Sequence, residues 1–148
     1  MPDPFVVPEE PTAAEAIAAI GEELDVFDDW MQRYQYIIEL GRKLPPFPEG
    51  WSNDAHRVPG CQSRVWMESD LTDGTLRLAG ASDAAIVSGL IALLLRVYSG
   101  RPPEEVLRTD PQFLKDLGLL EALSTNRGNG IAAMARAVQQ AARQAVAA

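Results

Sequence analysis

Residues 86–95 form a run of ten without a charge, between Asp83 and Arg96, and it is apolar on nearly every face. A helix that is hydrophobic all round has to be buried all round. Whatever this chain folds into is therefore built around that segment, with other elements covering it on several sides. A bilayer is the alternative home for such a helix, but ten residues is about half of what a span requires. Ser82 reads as its cap, and the helix is expected over 83–98, where Ser99-Gly100 and Pro102-Pro103 end it.

The covering elements follow from local signals. Thr12 with Glu15 three residues on has capping-box spacing, and 13–24 has helix-forming composition. A second helix is expected from Asp28, with Trp30, Tyr34, Ile37, Ile38 and Gly41 at the helical period and Arg42 and Lys43 in its last turn. Prolines 45, 46 and 48 stop it, and 44–60 reads as a long loop ending at Val58-Pro59-Gly60-Cys61. Beyond the loop, 62–70 and the alternating 75–79 flank Asp73-Gly74, which predicts a β-hairpin. Short helices are expected at 103–108 and from Asp110-Pro111 to Gly118, then at most a turn at 121–123. A last helix runs from about Asn126, capped by Ser124 or Thr125. The expected class is α+β, a small antiparallel sheet of two to three strands covered by helices. One domain is expected over 12–148, behind a flexible acidic N-terminal arm at 1–11.

Composition narrows the function. The chain has 148 residues, 13 Lys+Arg, 21 Asp+Glu, one His and one Cys, for a formal net charge of -8. A lone Cys has no disulfide partner within the chain, and one Cys with one His cannot fill a structural zinc or iron–sulfur site. The acidic balance argues against nucleic acid, whose phosphates select clustered Lys and Arg. Nine of the 21 acids lie before the first base, Arg33, so the remainder is close to neutral. The N-terminus has neither a basic nor an apolar signal region, and a cytoplasmic, reducing compartment is expected. Neither G-x-G-x-x-G nor a P-loop is present.

Two readings of Cys61 compete. Cys is among the most buried residue types, and an inert core thiol explains it. Yet Cys61 follows a Pro-Gly turn at the start of a strand, Gly60 lets a partner approach closely, and Arg57 and Arg64 flank it. Cations near a thiol favour the thiolate, its nucleophilic form. His56 raises a Cys–His dyad, but a hydrolase also needs an orienting group and an oxyanion hole, and a solvated loop histidine is the simpler reading. Arg127 opposes the dipole at the start of the last helix, so a role toward an anion such as the Cys61 thiolate is considered beside that of a solvated Arg. Asp83, just inside its helix, is accounted for as a dipole-complementing acid, and Trp30 and Trp66 as packing residues.

Residues 57–63, Arg-Val-Pro-Gly-Cys-Gln-Ser, followed by Val65-Trp66, resemble the signature of the SufE family of sulfur-acceptor proteins. Ser82-Asp83-Ala84, Ile86-Val87, Gly89-Leu90 and Tyr98-Ser99-Gly100 resemble that family's central helix. Leu123-Ser124, Arg127, Gly130 and Met134 resemble its C-terminal one. Trp30, Arg33-Tyr34, residues 38–41 and Lys43-Leu44-Pro45 fit as well, so the resemblance spans about residues 23–140. Ala81 departs from it, standing where members often have an acid.

The resemblance implies a partner of a SufS-type cysteine desulfurase, with Cys61 accepting persulfide sulfur and passing it to a SufBCD-type scaffold for iron–sulfur cluster assembly. Pyridoxal phosphate would belong to the desulfurase, and this chain would need no cofactor of its own. It would act as an accessory sulfurtransferase-type protein, with Arg127 as thiolate-stabilising candidate and Gly60, Gln62, Arg57, Arg64 and Asp83 as candidate partner-binding residues. Cys61 would rest in an apolar pocket walled by the central helix and swing out on docking. The alternative is an interaction module that docks on a desulfurase and regulates it without carrying sulfur.

Overall fold

The computed structural model describes residues 3–59, 63–119 and 125–147, the last segment with side chains from Ile131 onward. The element order is α1 (Ala13–Asp25), α2 (Trp30–Arg42), a 3-10 turn (Glu49–Trp51), β1 (Val65–Thr72), β2 (Thr75–Ser82), α3 (Ala85–Tyr98), α4 (Pro103–Arg108), α5 (Phe113–Asp116) and α6 (Thr125–Ala147). The class is α+β: among the described residues, six helices and a two-stranded antiparallel sheet.

The apolar run becomes the buried α3, with ten of its fourteen residues in the core. It packs against α1, α2, α6 and β2. Leu90, Ile91, Leu93, Leu94 and Leu95 are at most 1% exposed. Each such side chain contributes roughly 1.5–3 kcal/mol on leaving water, so α3 organises the molecule. Gly41 of α2 and Gly89 of α3 let these two helices meet backbone to backbone. Among the described residues, no helix is long and apolar enough to cross a membrane.

Capping chemistry sets the ends. Thr12 accepts the Glu15 N–H at 3.1 Å, as its spacing predicts. Asp29 caps α2 by accepting the Gln32 N–H at 2.9 Å, and the helix starts at Trp30, two residues after the expected Asp28. The hairpin turns at Asp73 and Gly74, both at positive φ (52° and 77°), the backbone that a tight two-residue turn requires.

Two expectations are corrected. β2 continues to Ser82 instead of stopping near Ala79, and α3 starts at Ala85, so Ser82 is a strand residue and Asp83 precedes the helix. Ala79-Gly80-Ala81 lacks strand composition because the sheet is pressed onto helices there: a Cβ on Gly80 would lie 2.9 Å from Ile91 and 3.0 Å from Met134.

The acidic segment expected as a loosely attached arm makes defined contacts in this structure. Val6 donates its N–H to the Leu78 carbonyl at 2.9 Å and accepts from the buried Ser99 hydroxyl at 2.6 Å, along the outer edge of β2. Arg101, 2% exposed, donates to the carbonyls of Arg96 and Val97 at the end of α3 and to that of Glu10. It thus satisfies orphan carbonyls of the helix terminus and fastens the segment to it.

Arg96 completes the attachment, donating to Glu10 at 2.8 Å and to Glu23 of α1 at 2.7 Å. Its hydrogen bonds hold both carboxyls below their ordinary range against the opposing effect of burial. Tyr36 donates to Glu23, and burial with this neighbour pushes its hydroxyl up to about 12. A carboxyl with a lowered folded-state pKa stabilises the fold above its unfolded value and loses that contribution as pH falls through the folded one. The cluster's contribution is therefore present above about pH 4.5 and lost below it. Urea unfolding between about pH 3 and 6 is expected to show a shallower acid loss of stability in Arg96→Gln than in wild type. Identical slopes would mean that these pairs contribute nothing.

Candidate functional site

Gly60, Cys61 and Gln62 lie outside the described residues, as does the turn expected at 121–123; both ends of the Cys61 segment are described. On its N-terminal side the stretch 56–58, here called the outer strand, runs beside β1 through one isolated antiparallel bridge. The Val58 N–H donates to the Val65 carbonyl at 2.8 Å, the Met67 N–H donates to the His56 carbonyl at 2.9 Å, and Arg57 lies opposite Trp66. Val58, 4% exposed, anchors this strand in the core.

On the C-terminal side, Arg64 is clamped to the β2–α3 junction. Its N–H donates to Asp83 Oδ1 at 3.1 Å, and its carbonyl accepts from the Asp83 N–H at 3.3 Å and from the Ser82 hydroxyl at 2.7 Å. Residues 59–64 thus connect two paired strands, whose neighbouring backbones stand about 4.8 Å apart. Cys61 belongs to a connection whose two ends are tied by main-chain hydrogen bonds.

Arg57 and Arg64 are exposed, and among the described residues neither guanidinium has a carboxylate within 4 Å. Asp83 has an intramolecular task, holding the Arg64 N–H. Arg127 belongs to the first turn of α6; its side chain is outside the described residues.

His56 is not a solvated loop residue. Its Nε2 is 2.7 Å from Glu68 Oε2, its Nδ1 is 2.9 Å from Asn53 Oδ1, and its ring stacks on Trp51 at 5.7 Å and 18°. Both nitrogens are occupied, which leaves none to act as base on a thiol. Trp51 also contacts Phe5 and Phe47, so the proline-rich segment is ordered around an aromatic cluster. Trp30 packs at Gly118, where an added Cβ would come within 3.0 Å of its ring, and Trp66 is half-buried on β1.

The outer strand, the Ser82–Asp83 clamp and the Glu68 contact were not read from the sequence. Only the alternation of His56 and Val58 hinted at the strand, and it is too short to stand out from a proline-rich loop. Among the described residues, no cluster of His, Cys, Asp and Glu could hold a metal ion.

The matching family model, SufE, is described as an Fe-S metabolism associated domain and matches residues 18–142. A SufE-like protein of Rhizobium meliloti is 38% identical over 126 residues, covering 82% of this chain and 90% of its own. One from Rhizobium etli is 36% identical over 135 residues, with 86% and 91% covered. A solution structure of a hypothetical protein from Thermus thermophilus superposes with a TM-score of 0.73 at 28% identity, covering 97% of this chain and all of that one. The match over nearly the whole fold, and the relatives' length and identity, establish that the chain belongs to the SufE family.

Proposed function

We propose that this chain is a sulfur acceptor and carrier, working beside a SufS-type cysteine desulfurase and delivering sulfur to a SufBCD-type scaffold for iron–sulfur cluster assembly. Membership of a family associated with iron–sulfur metabolism supports the setting. The observation that carries the reading is the tying of the two described ends of the segment that contains the chain's one cysteine, each end bearing an arginine, Arg57 or Arg64, whose guanidinium has no carboxylate partner among the described residues.

In the proposed step the Cys61 thiolate attacks the outer sulfur of the desulfurase's cysteine persulfide. A new sulfur–sulfur bond forms at Cys61, the donor's sulfur–sulfur bond breaks, and the donor cysteine leaves as thiolate. Pyridoxal phosphate belongs to the donor enzyme, and this chain supplies the thiol and its surroundings. Arg127 is the proposed third cation toward the thiolate. Gly60, Gln62, Arg57, Arg64 and Asp83 form the proposed docking face, Asp83 through its hold on Arg64. The reading puts the protein in the cytoplasm, where a lone thiol stays reduced.

The test is sulfur loading. Mixed with the desulfurase and free cysteine, the chain is expected to gain about 32 Da, one sulfur atom, at Cys61, removable by dithiothreitol. Arg127→Ala is expected to slow loading about tenfold by lowering the thiolate fraction. Desulfurase stimulation without any mass gain would favour the regulatory module over the carrier.

A further inference from the structure

Two exposed surfaces that sulfur carriage does not use adjoin each other. The first is the corner between α1 and α2, where Val26 is 75% and Met31 69% exposed. Single exposed apolar side chains are ordinary on a protein surface. These two flank one short turn, which also carries exposed Asp25, Asp28 and Asp29. Asp29 is engaged as the cap of α2. Asp25 and Asp28 have no cation within 4 Å among the described residues.

The second surface is a groove between residues 110–115 and α6, a cavity of about 400 Å³. Its floor is apolar: Leu114 and Ala135 are buried, and Ala132 lies one helical turn before Ala135. Lys115, Arg136 and Arg143 line it and are exposed, and among the described residues none of their charged groups has a carboxylate within 4 Å. Arg143 donates to the neutral Gln140 amide at 3.0 Å. Asp110, the acid among the lining residues, has its Oδ1 occupied by the Gln112 N–H at 2.9 Å. In a chain with 21 Asp+Glu against 13 Lys+Arg, three cations without acidic partners around an apolar floor call for an occupant that is apolar at its centre and acidic at its margin. The α1–α2 corner has that character.

Corner and groove are neighbours on the molecule. Trp30 lies against Gly118, two residues beyond α5, and Leu117 lies beside Gly21 of α1. Val26 and Met31 nevertheless stay exposed, so the corner does not fill the groove of its own chain.

We propose that this protein pairs with a second copy of itself through these surfaces, the α1–α2 corner of each copy seated in the α5–α6 groove of the other. Val26 and Met31 meet the floor at Leu114 and Ala135, and Asp25 and Asp28 face Lys115 and Arg136 at the rim. Because corner and groove adjoin, the exchange is reciprocal, and reciprocal contacts close at two copies about a two-fold axis. The pairing does not rest on the carrier reading.

Sedimentation equilibrium of the full chain tests it, with reductant present so that no disulfide between two Cys61 thiols imitates the contact. The weight-average mass is expected to rise with concentration from 16.1 kDa toward twice that value and no further. The chain carrying Lys115→Glu with Arg136→Glu, and separately the chain carrying Asp25→Lys with Asp28→Lys, should each raise the dissociation constant about tenfold, since like charges then meet at the rim. All four positions are exposed, and unchanged urea unfolding checks that both variants fold. An equimolar mixture of the two variants should recover association near the wild-type value. In the mixed pair each corner meets a groove of opposite charge, reversed in one contact and native in the other. A mass fixed at 16.1 kDa at every concentration, masses climbing beyond two copies, wild-type association in either variant, or a mixture as weak as its components overturns the proposal.

Discussion

Cys61→Ser is expected to abolish sulfur uptake completely and, with it, stimulation of the desulfurase. Serine keeps the shape of the side chain but its hydroxyl is not ionised at neutral pH, so it can neither attack a persulfide nor hold the product. The fold should not notice. The described ends of the segment are tied through Val58, Val65, Arg64 and Asp83, whose identities are unchanged, and unfolding free energies in urea should agree within about 0.5 kcal/mol. Mass spectrometry of the loaded chain and sulfide release by the desulfurase are the two readouts. Loss of both identifies a carrier, whereas retained stimulation with no loading identifies a regulator that needs the loop but not its thiol. Because the chain has one cysteine, sulfur once loaded has no second thiol within the chain to displace it as sulfide through an internal disulfide. The wild-type adduct should therefore outlast the removal of desulfurase and disappear only when an external thiol or acceptor is added.

The residues that define this site differ in how readable they are. The buried α3 is legible because an all-round apolar helix has one physical outcome, and the hairpin because Asp73-Gly74 demands a turn. The segment around Cys61 is legible as a pattern of residues, which brings the family into view, but not as geometry. Its anchoring depends on pairings such as Arg64 with Asp83, 19 residues apart, and His56 with Glu68, 12 apart, to which no local period points. The N-terminal segment is a stronger case. Its prolines and acids are the composition of a disordered arm, yet Glu10 is paired with Arg96, 86 residues away, and Val6 with Ser99, 93 away. Composition reports what a segment can do alone; partners that exist only after folding decide the rest.

Gly89→Ala is expected to be among the most damaging single substitutions outside the Cys61 segment, although alanine is the better helix former by about 1 kcal/mol. Its Cβ would lie 2.1 Å from the Ile37 carbonyl oxygen and 2.6 Å from the Ile37 carbonyl carbon. Those atoms are α2 backbone and cannot rotate away. Reaching an ordinary contact near 3.4 Å would push the helices apart by about 1.3 Å. That separation would open the seam around Ile37, which is 1% exposed. Overpacking typically costs 1–3 kcal/mol where side chains can adjust, and here a helix has to move, so a net loss of about 3 kcal/mol is expected in urea unfolding. Gly41→Ala approaches the same seam from the other side, its Cβ 2.5 Å from the Gly89 nitrogen, and should lose a similar amount. Gly50→Ala is the control: an added Cβ there meets nothing within 4 Å, and stability should stay within about 0.5 kcal/mol of wild type. If Gly89→Ala were instead neutral or stabilising, helix propensity would outweigh the contact, and the close crossing of α2 and α3 could not be what holds α3, and with it the Ser82–Asp83 clamp on Arg64, in place.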